Sequence, residues 1–323
     1  MRSSRSAHRI SVDSRVVPER VTAAPAPMLL QHWLTAARPR TLLVAVVPVL
    51  VGTTIAWHDA GTLSTMILVA TVVAALLIQV ATNLHNDVAD FERGADDPGS
   101  RLGPRRATAE GWLRPGEVRR GAWLAFAGAG LIGLWLAWQG GWPILAIGIA
   151  SIASAWAYSG GARPIAYSSL GEFFVWLFFG VAAVAGSYYL QVGRFDPTAL
   201  AAGALLGMPA AAVLVVNNYR DREDDRRAGR RTFAVVFGAR ASRIEYGTLL
   251  LLPFLLLLPL AQFGGPGWLL PLVAAPWAGV LVRRFVTVPA GPVFNELLAA
   301  TARLQLGFGA LICAGLFVGG LRG

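Results

Sequence analysis

Charge is scarce in this 323-residue chain: 14% of its residues are Asp, Glu, Lys or Arg, 55% are hydrophobic, and its mean hydropathy is +0.55. That balance excludes an ordinary soluble globular protein. Lysine is absent, all 28 basic residues being arginine, a composition from which no function is read. The single cysteine, Cys313, leaves no partner for an intramolecular disulfide and, inside an apolar run, reads as packing. Residues 1–27 are rich in Arg, Ser, Ala and Pro but have no apolar stretch, which excludes a secretory signal peptide. They read as a disordered cytoplasmic tail, so the chain divides into a tail, 1–30, and one membrane domain, 31–323. Ten-residue segments of alternating hydrophobicity are also missing, which excludes a transmembrane β-barrel.

What is present is a series of long apolar runs. A bilayer core about 30 Å thick needs roughly 20 mainly apolar residues per helix. Nine runs qualify, at about 41–57, 62–82, 121–139, 142–159, 170–190, 198–216, 247–263, 267–283 and 304–321. The very short connections at 57–61, 139–142 and 263–267 make antiparallel hairpins of the helices they join. The expected fold is all-α: a polytopic transmembrane bundle of about nine helices enclosing an apolar cavity with a polar cytoplasmic mouth. A formal charge of +10 invites a nucleic-acid reading, but its distribution does not. With the N-terminus inside, 26 arginines fall on the inner side and only Arg194 and Arg322 outside. This positive-inside pattern places the protein in the cell membrane as a multi-pass protein in contact with lipid, with no nucleic-acid partner. Its N-terminus is expected in the cytoplasm and its C-terminus outside.

The acids are concentrated. Of 18, twelve lie in two inner loops: Asp87, Asp90, Glu92, Asp96, Asp97, Glu110 and Glu117, then Asp221, Glu223, Asp224, Asp225 and Glu245. Solvated loops balancing their arginines account for Glu110, Glu117, Glu223 and Glu245. For the others the spacing says more. At about 100° per residue, Asn83, Asp87 and Asp90 fall within about 60° of one another on a helix, as do Asn218, Asp221 and Asp225. Both sets continue from the cytoplasmic end of an apolar span, where ionisable groups are costly unless paired or metal-bound. Two facing carboxylate clusters repel unless a cation lies between them. Oxygen ligands without nearby His or Cys point to Mg²⁺, with Mn²⁺ as a substitute.

Magnesium held by a few carboxylates completes its shell with water and substrate phosphate. Arg93, Arg101, Arg105 and Arg106 follow the first cluster, and Arg230 and Arg231 follow the second. Gly103 and Gly229 let the backbone come close to a ligand. Arginine suits bidentate phosphate recognition, so the alternation of acids and arginines in both loops favours a diphosphate bound through Mg²⁺.

With "NLHNDVADFERGAD" at 83 and "NNYRDREDDRRAGRRT" at 217, the chain resembles the UbiA superfamily of membrane prenyltransferases. It is most similar to the 1,4-dihydroxy-2-naphthoate polyprenyltransferases of menaquinone synthesis. The likeness covers nearly everything after residue 30 and includes "WLTAARPRTL", "GPRRAT", "AYSGGARPIAYSSLGEFFVWLFFG" and "NELLAATARLQ". Carried over residue by residue, the first motif matches Asn83, Asn86, Asp87 and Asp90, and the second Asn218, Asp221 and Asp225. The resemblance implies metal binding by these side chains, with Asp87, Asp90, Asp221 and Asp225 essential to catalysis. The superfamily often has an aspartate where this chain has Gly94; here the acids are Asp96 and Asp97, as in the naphthoate branch. A lysine common after the second motif's glycine is Arg230.

The implied reaction moves a polyprenyl group from polyprenyl diphosphate to 1,4-dihydroxy-2-naphthoate, with loss of CO₂ and diphosphate, and yields demethylmenaquinol. Tyr158, Tyr167 and Glu172 flank the inner side as further substrate candidates, although interface anchoring also explains tyrosines there. Arg38, Arg40 and Arg303 read as topology signals, and Asn295 and Glu296 as buried hydrogen bonding. Other UbiA-type acceptors (4-hydroxybenzoate, homogentisate, porphyrin or phosphoribose) stay open. A cation transporter should carry acids or broken helices near the midplane of several spans, whereas both acid clusters here lie at one face. A CDP-alcohol phosphotransferase needs a DG…AR…G…D…D arrangement that is not found.

Overall fold

The computed structural model describes residues 26–94, 102, 103 and 105–320, and every regular element among them is helical. In chain order these are α1 (Ala26–Ala37), α2 (Pro39–Ala60), α3 (Thr65–Glu92), α4 (Pro115–Gly140) and α5 (Trp142–Ser159). A 3₁₀ turn (Ile165–Tyr167) leads to α6 (Gly171–Trp176), which passes through a π-helical segment (Leu177–Ala182) into α7 (Ala183–Val192). Then come α8 (Pro197–Arg220), the short α9 (Arg222–Arg227), α10 (Phe233–Gly264), a 3₁₀ stretch (Pro266–Ala274), α11 (Ala275–Thr287) and α12 (Phe294–Gly320). Of the expected tail, residues 26–30 belong to α1, and residues 1–25 lie outside the described residues.

Nine helical units among the described residues are long and apolar enough to cross a membrane, one for each expected span. Their ends differ from the hydropathy limits. The span expected to end near 82 continues as α3 to Glu92, and the one expected from 247 begins with α10 at Phe233. Hydropathy marks only the part of a helix at lipid depth. In α3 the polar side chains of the extra turns find partners inside the protein, whereas the extra part of α10 is set off by a kink at Gly238, φ 79°.

The bundle has two unequal parts. Helices α2, α7, α8, α10, α11 and α12 share one core around Leu206, Tyr246, Leu250, Phe285, Leu304 and Phe308. Helix α8 lies at its centre: 67% of its apolar window is buried, against 11% for that of α3. Helices α3, α4 and α5 form the second part, with smaller clusters around Leu84 and Phe126. On the side away from the Asp-rich loops, Asp59 accepts hydrogen bonds from Tyr188 at 2.5 Å and Arg194 at 2.6 Å, tying α2 to α7.

The π segment packs on α8 backbone to backbone. A Cβ on Gly207 would lie 2.5 Å from the Trp176 carbonyl oxygen, and one on Gly180 would lie 2.4 Å from that of Gly203. Glycine is what permits such an approach between membrane helices. We expect Gly207→Leu to abolish recovery of monodisperse protein in detergent, because a backbone atom cannot yield and the penalty exceeds the roughly 1–3 kcal/mol of ordinary overpacking. Gly133→Ala, whose Cβ meets nothing within 4 Å, should melt like the parent; size-exclusion profiles and thermal unfolding of both variants check this.

Candidate functional site

The last two turns of α3 carry the first acidic motif. Asp87 is 1% exposed, and its oxygens accept the backbone N–H groups of Ala107 and Thr108, each at 3.0 Å, and the Thr108 hydroxyl. It therefore anchors the loop that returns over the helix end. Hydrogen bonds to a charged acceptor are worth about 1.5–3 kcal/mol each, which makes Asp87 a strong structural tie. Asp90, one turn on, lies between two guanidiniums: Arg106 at 2.8 Å on Oδ2 and Arg230 at 2.6 Å on Oδ1.

The second motif is built by a helix break. Helix α8 ends at Arg220 and α9 restarts at Arg222. Gly229, at φ 74°, then turns the chain so that the Arg230 N–H reaches the Asp225 carbonyl at 2.8 Å. The Arg230 side chain points back between the motifs, 2.6 Å from Asp90 and 3.5 Å from Asp225. Burial pushes the Asp225 carboxyl up to about 7, with Asp221, Asp90 and Asp224 adding to the rise and Arg230 opposing it. Burial works against the Arg230 charge, but Asp90 and Asp225 outweigh it and raise its pKa. Asp221 accepts from Nε and Nη2 of the buried Arg220, at 2.7 and 2.6 Å. Arg220 also donates to Asn217 at 2.8 Å and to Asn295 at 2.6 Å, and Asn295 donates to the Leu102 carbonyl at 2.9 Å. The start of α12 thus joins both motif loops; Asn295 makes the hydrogen bonds expected of it, but from an exposed position rather than a buried one. Glu296 instead makes an exposed ion pair with Arg284.

Other expected site residues make different contacts, and of these Asn83 also lines the cavity described below. Asn83 donates to the Ala37 carbonyl at 2.9 Å and the Thr41 hydroxyl at 3.2 Å, clasping the α1–α2 elbow. Arg38 at that elbow has φ 55°, the one positive-φ non-glycine among the described residues. Asn218 donates to Glu172 at 2.7 Å, inside the packing of α8 on α6. Arg93 braces the carbonyls of Ser159 and Gly161. Arg105 is exposed, 3.8 Å from Glu110, and the Arg231 side chain is also exposed. Arg101, Asp96 and Asp97 lie outside the described residues. The facing carboxylates are not bare: Asp90, Asp221 and Asp225 meet arginines and Asp87 meets backbone N–H groups, because the loops fold back over the helix ends, a long-range event that local spacing does not encode.

Beneath this network is a cavity of about 800 Å³ between the two parts of the bundle. Its walls are apolar along α3, α4, α5 and the π segment, including Ala74, Ile147, Phe178 and Phe179. Arg38, Gln79, Asn86, Tyr158 and Asn217 make its polar end. Asn217 and Arg220 are absent from the sequence-based candidates. The signal for Asn217 is the four-residue step of Asn217, Asp221 and Asp225, which parallels Asn86 and Asp90.

Among the described residues no three His, Cys, Asp or Glu side chains converge as a metal site. The donors still fit a hard divalent cation: Asp90 and Asp225 are buried carboxylates bridged through a single guanidinium. Two carboxylates with the remaining positions left to phosphate and water is how Mg²⁺ is commonly held.

The model of the UbiA prenyltransferase family matches residues 45–291. The chain is 39% identical over 252 residues to 1,4-dihydroxy-2-naphthoate octaprenyltransferase of Mycobacterium tuberculosis, covering 76% of this chain and 83% of that protein. It is 34% identical over 304 residues to the Escherichia coli protein of the same name, covering 90% and 95%. The fold matches a UbiA homologue from Archaeoglobus fulgidus bound to DMAPP and Mg²⁺, with TM-score 0.62, 16% identity and coverage of 88% and 99%.

Two outcomes separate anchoring from metal chemistry. Asp87→Asn leaves one oxygen for two backbone donors and should cost roughly 2–3 kcal/mol, read as a lower unfolding temperature in chelator that added Mg²⁺ does not restore. Asp90→Asn should instead respond to the Mg²⁺ concentration in initial-rate measurements. The Asp225 carboxyl gives a pH test. Its folded pKa of about 7 lies above the ordinary 3.8, so its contribution to stability is full below about pH 4 and is lost as pH rises through 7. In chelator the unfolding temperature should fall from pH 5 to pH 8, and Asp225→Asn should flatten that slope.

Proposed function

This chain belongs to the UbiA prenyltransferase family, and on that premise we propose that it transfers a polyprenyl group from polyprenyl diphosphate to 1,4-dihydroxy-2-naphthoate. Demethylmenaquinol, CO₂ and diphosphate are the products. The observation that carries the reading is one polar network, with two carboxylate motifs and their arginines, set over the mouth of an apolar cavity. Curated relatives that carry this activity by name support the acceptor.

The hydrocarbon tail lies along the apolar walls, and the diphosphate head sits at the network. Asp90 and Asp225 would hold Mg²⁺, which when bound would supply Lewis-acid stabilisation of the charge growing on the departing diphosphate. Arg230 and Arg106 add fixed positive charge beside the same oxygens. As the C1–O bond breaks, its electrons leave with the diphosphate. The apolar walls keep water from the allylic carbon. The acceptor ring meets Arg38, Gln79, Asn86, Tyr158 and Asn217, and its ring carbon bonds to C1. Loss of the ring carboxylate as CO₂ returns the bonding electrons to the ring, so no ring proton has to be removed at that carbon. Both motif loops lie on one face, since Asp90 and Arg230 touch; the arginine asymmetry makes that face cytoplasmic.

Purified enzyme should convert 1,4-dihydroxy-2-naphthoate with a labelled polyprenyl diphosphate, stop in EDTA and recover with Mg²⁺. Transfer to 4-hydroxybenzoate or homogentisate but not to the naphthoate would replace the acceptor, and full turnover in chelator would remove the metal. Reporters fused after Glu110 and Arg240 should score cytoplasmic, and one at the C-terminus external.

A further inference from the structure

Between the two motif loops runs a third segment, the 159–168 connection from α5 to α6, which neither acidic motif includes. Tyr167 is its point of contact with both. The Arg230 guanidinium lies 4.7 Å from the centre of the Tyr167 ring and that of Arg93 lies 5.4 Å from it. The Tyr167 carbonyl accepts the Arg231 N–H at 3.0 Å. Arg93 meanwhile holds the Ser159 and Gly161 carbonyls at 2.5 and 3.1 Å, which fixes the start of the same segment. The residue is set in a 3₁₀ turn begun by Pro164, whose carbonyl accepts the Tyr167 N–H at 3.0 Å. The Tyr167 hydroxyl is buried and has no hydrogen-bond partner. Every contact that ties this residue to the motifs therefore runs through its ring face or its backbone.

We infer that Tyr167 is a positioning residue: its ring is a shared shelf that holds Arg230 at the diphosphate site and locks the first motif loop to the second. This inference rests on the diphosphate site proposed above. Asp90 and Asp225 pull Arg230 toward themselves, but a guanidinium that gives up those carboxylates to meet a phosphate needs a second support. An aromatic face supplies one, because cation–π attraction is tolerant of small rotations and keeps the five N–H donors free. Tyr167 serves binding of the diphosphate end, and neither the acceptor nor the prenyl tail touches it.

The test compares Tyr167→Phe, Tyr167→Leu and Tyr167→Met. Calorimetry follows inorganic diphosphate binding in Mg²⁺, and initial rates are measured against each substrate. Loss of the ring should raise the inorganic diphosphate Kd and the KM for polyprenyl diphosphate about tenfold, the scale of one desolvated cation–π contact. The acceptor KM should not move, and kcat should stay within about threefold. Phenylalanine keeps the shelf and should restore both diphosphate constants to within about twofold. Tyr167→Met preserves bulk without a π face and gives the same reading should the leucine variant fail to fold. Phenylalanine as impaired as leucine would place the effect in the hydroxyl and overturn the inference. So would a loss spread over acceptor KM and kcat with diphosphate binding intact, the pattern of general loosening. A parent enzyme that binds no diphosphate and transfers nothing sinks the functional reading itself; a working parent with an unaffected leucine variant sinks only the role of Tyr167.

Discussion

Asp90 is held by two arginines that arrive from different parts of the chain, and the arrangement of the inner face follows from that bridge. A carboxylate that is 1% exposed must be paired or lose its charge. Arg106 comes from the loop after α3 and Arg230 from the loop after α9, so satisfying one carboxylate forces both loops over the same spot. The other contacts deliver those two guanidiniums. Asp87 fixes the backbone at Ala107 and Thr108, the residues just after Arg106. Gly229 turns the chain just before Arg230. Asn295 reaches from α12 to Arg220 and Leu102, closing the ring of elements around the pair.

Below this lid the chain does the opposite and removes polarity. The π segment presses its one glycine, Gly180, against Gly203 and Gly207 of α8, and Phe178 and Phe179 turn to the cavity. The far side of the bundle is tied by Asp59, Tyr188 and Arg194, which leaves the chamber between two fixed ends. A charged lid on an apolar chamber suits a substrate that is itself divided into a charged head and a hydrocarbon tail.

Much of this was legible in the sequence and some was not, for definable reasons. Nine apolar runs correspond to nine membrane-length helical units among the described residues, because backbone polar groups in lipid must be satisfied within the helix. Helix faces were legible to about one residue. Asn83 and Asn86 both line the cavity, as the helix spacing leads one to expect, and Asn83 also clasps the α1–α2 elbow. On α8 a one-residue shift separates Asn218, which turns to Glu172, from Asn217, which lines the cavity. Loop fold-back was not legible: nothing local marks Asp87 as an acceptor for residues twenty positions on, or Arg93 as a brace for the α5–α6 connection. Arginine content showed that cations were available and could not show which ones reach the site.

The pairing pattern also bears on what the site is built to receive. Asp90 and Asp225 face Arg106 and Arg230, so the buried carboxylates and guanidiniums balance one another. A divalent cation entering alone separates the carboxylates from Arg106 and Arg230, and breaking such buried pairs costs several kcal/mol. A diphosphate entering alone breaks the same pairs from the other side. When cation and diphosphate enter together, each ion on the protein exchanges one partner for another and none is left bare. A transporter moves the cation by itself and must also release it on the opposite side, through a chamber here walled with alanine, leucine, isoleucine and phenylalanine. On the function proposed above, the charges already paired in the network suit a metal–diphosphate pair better than free-ion transport.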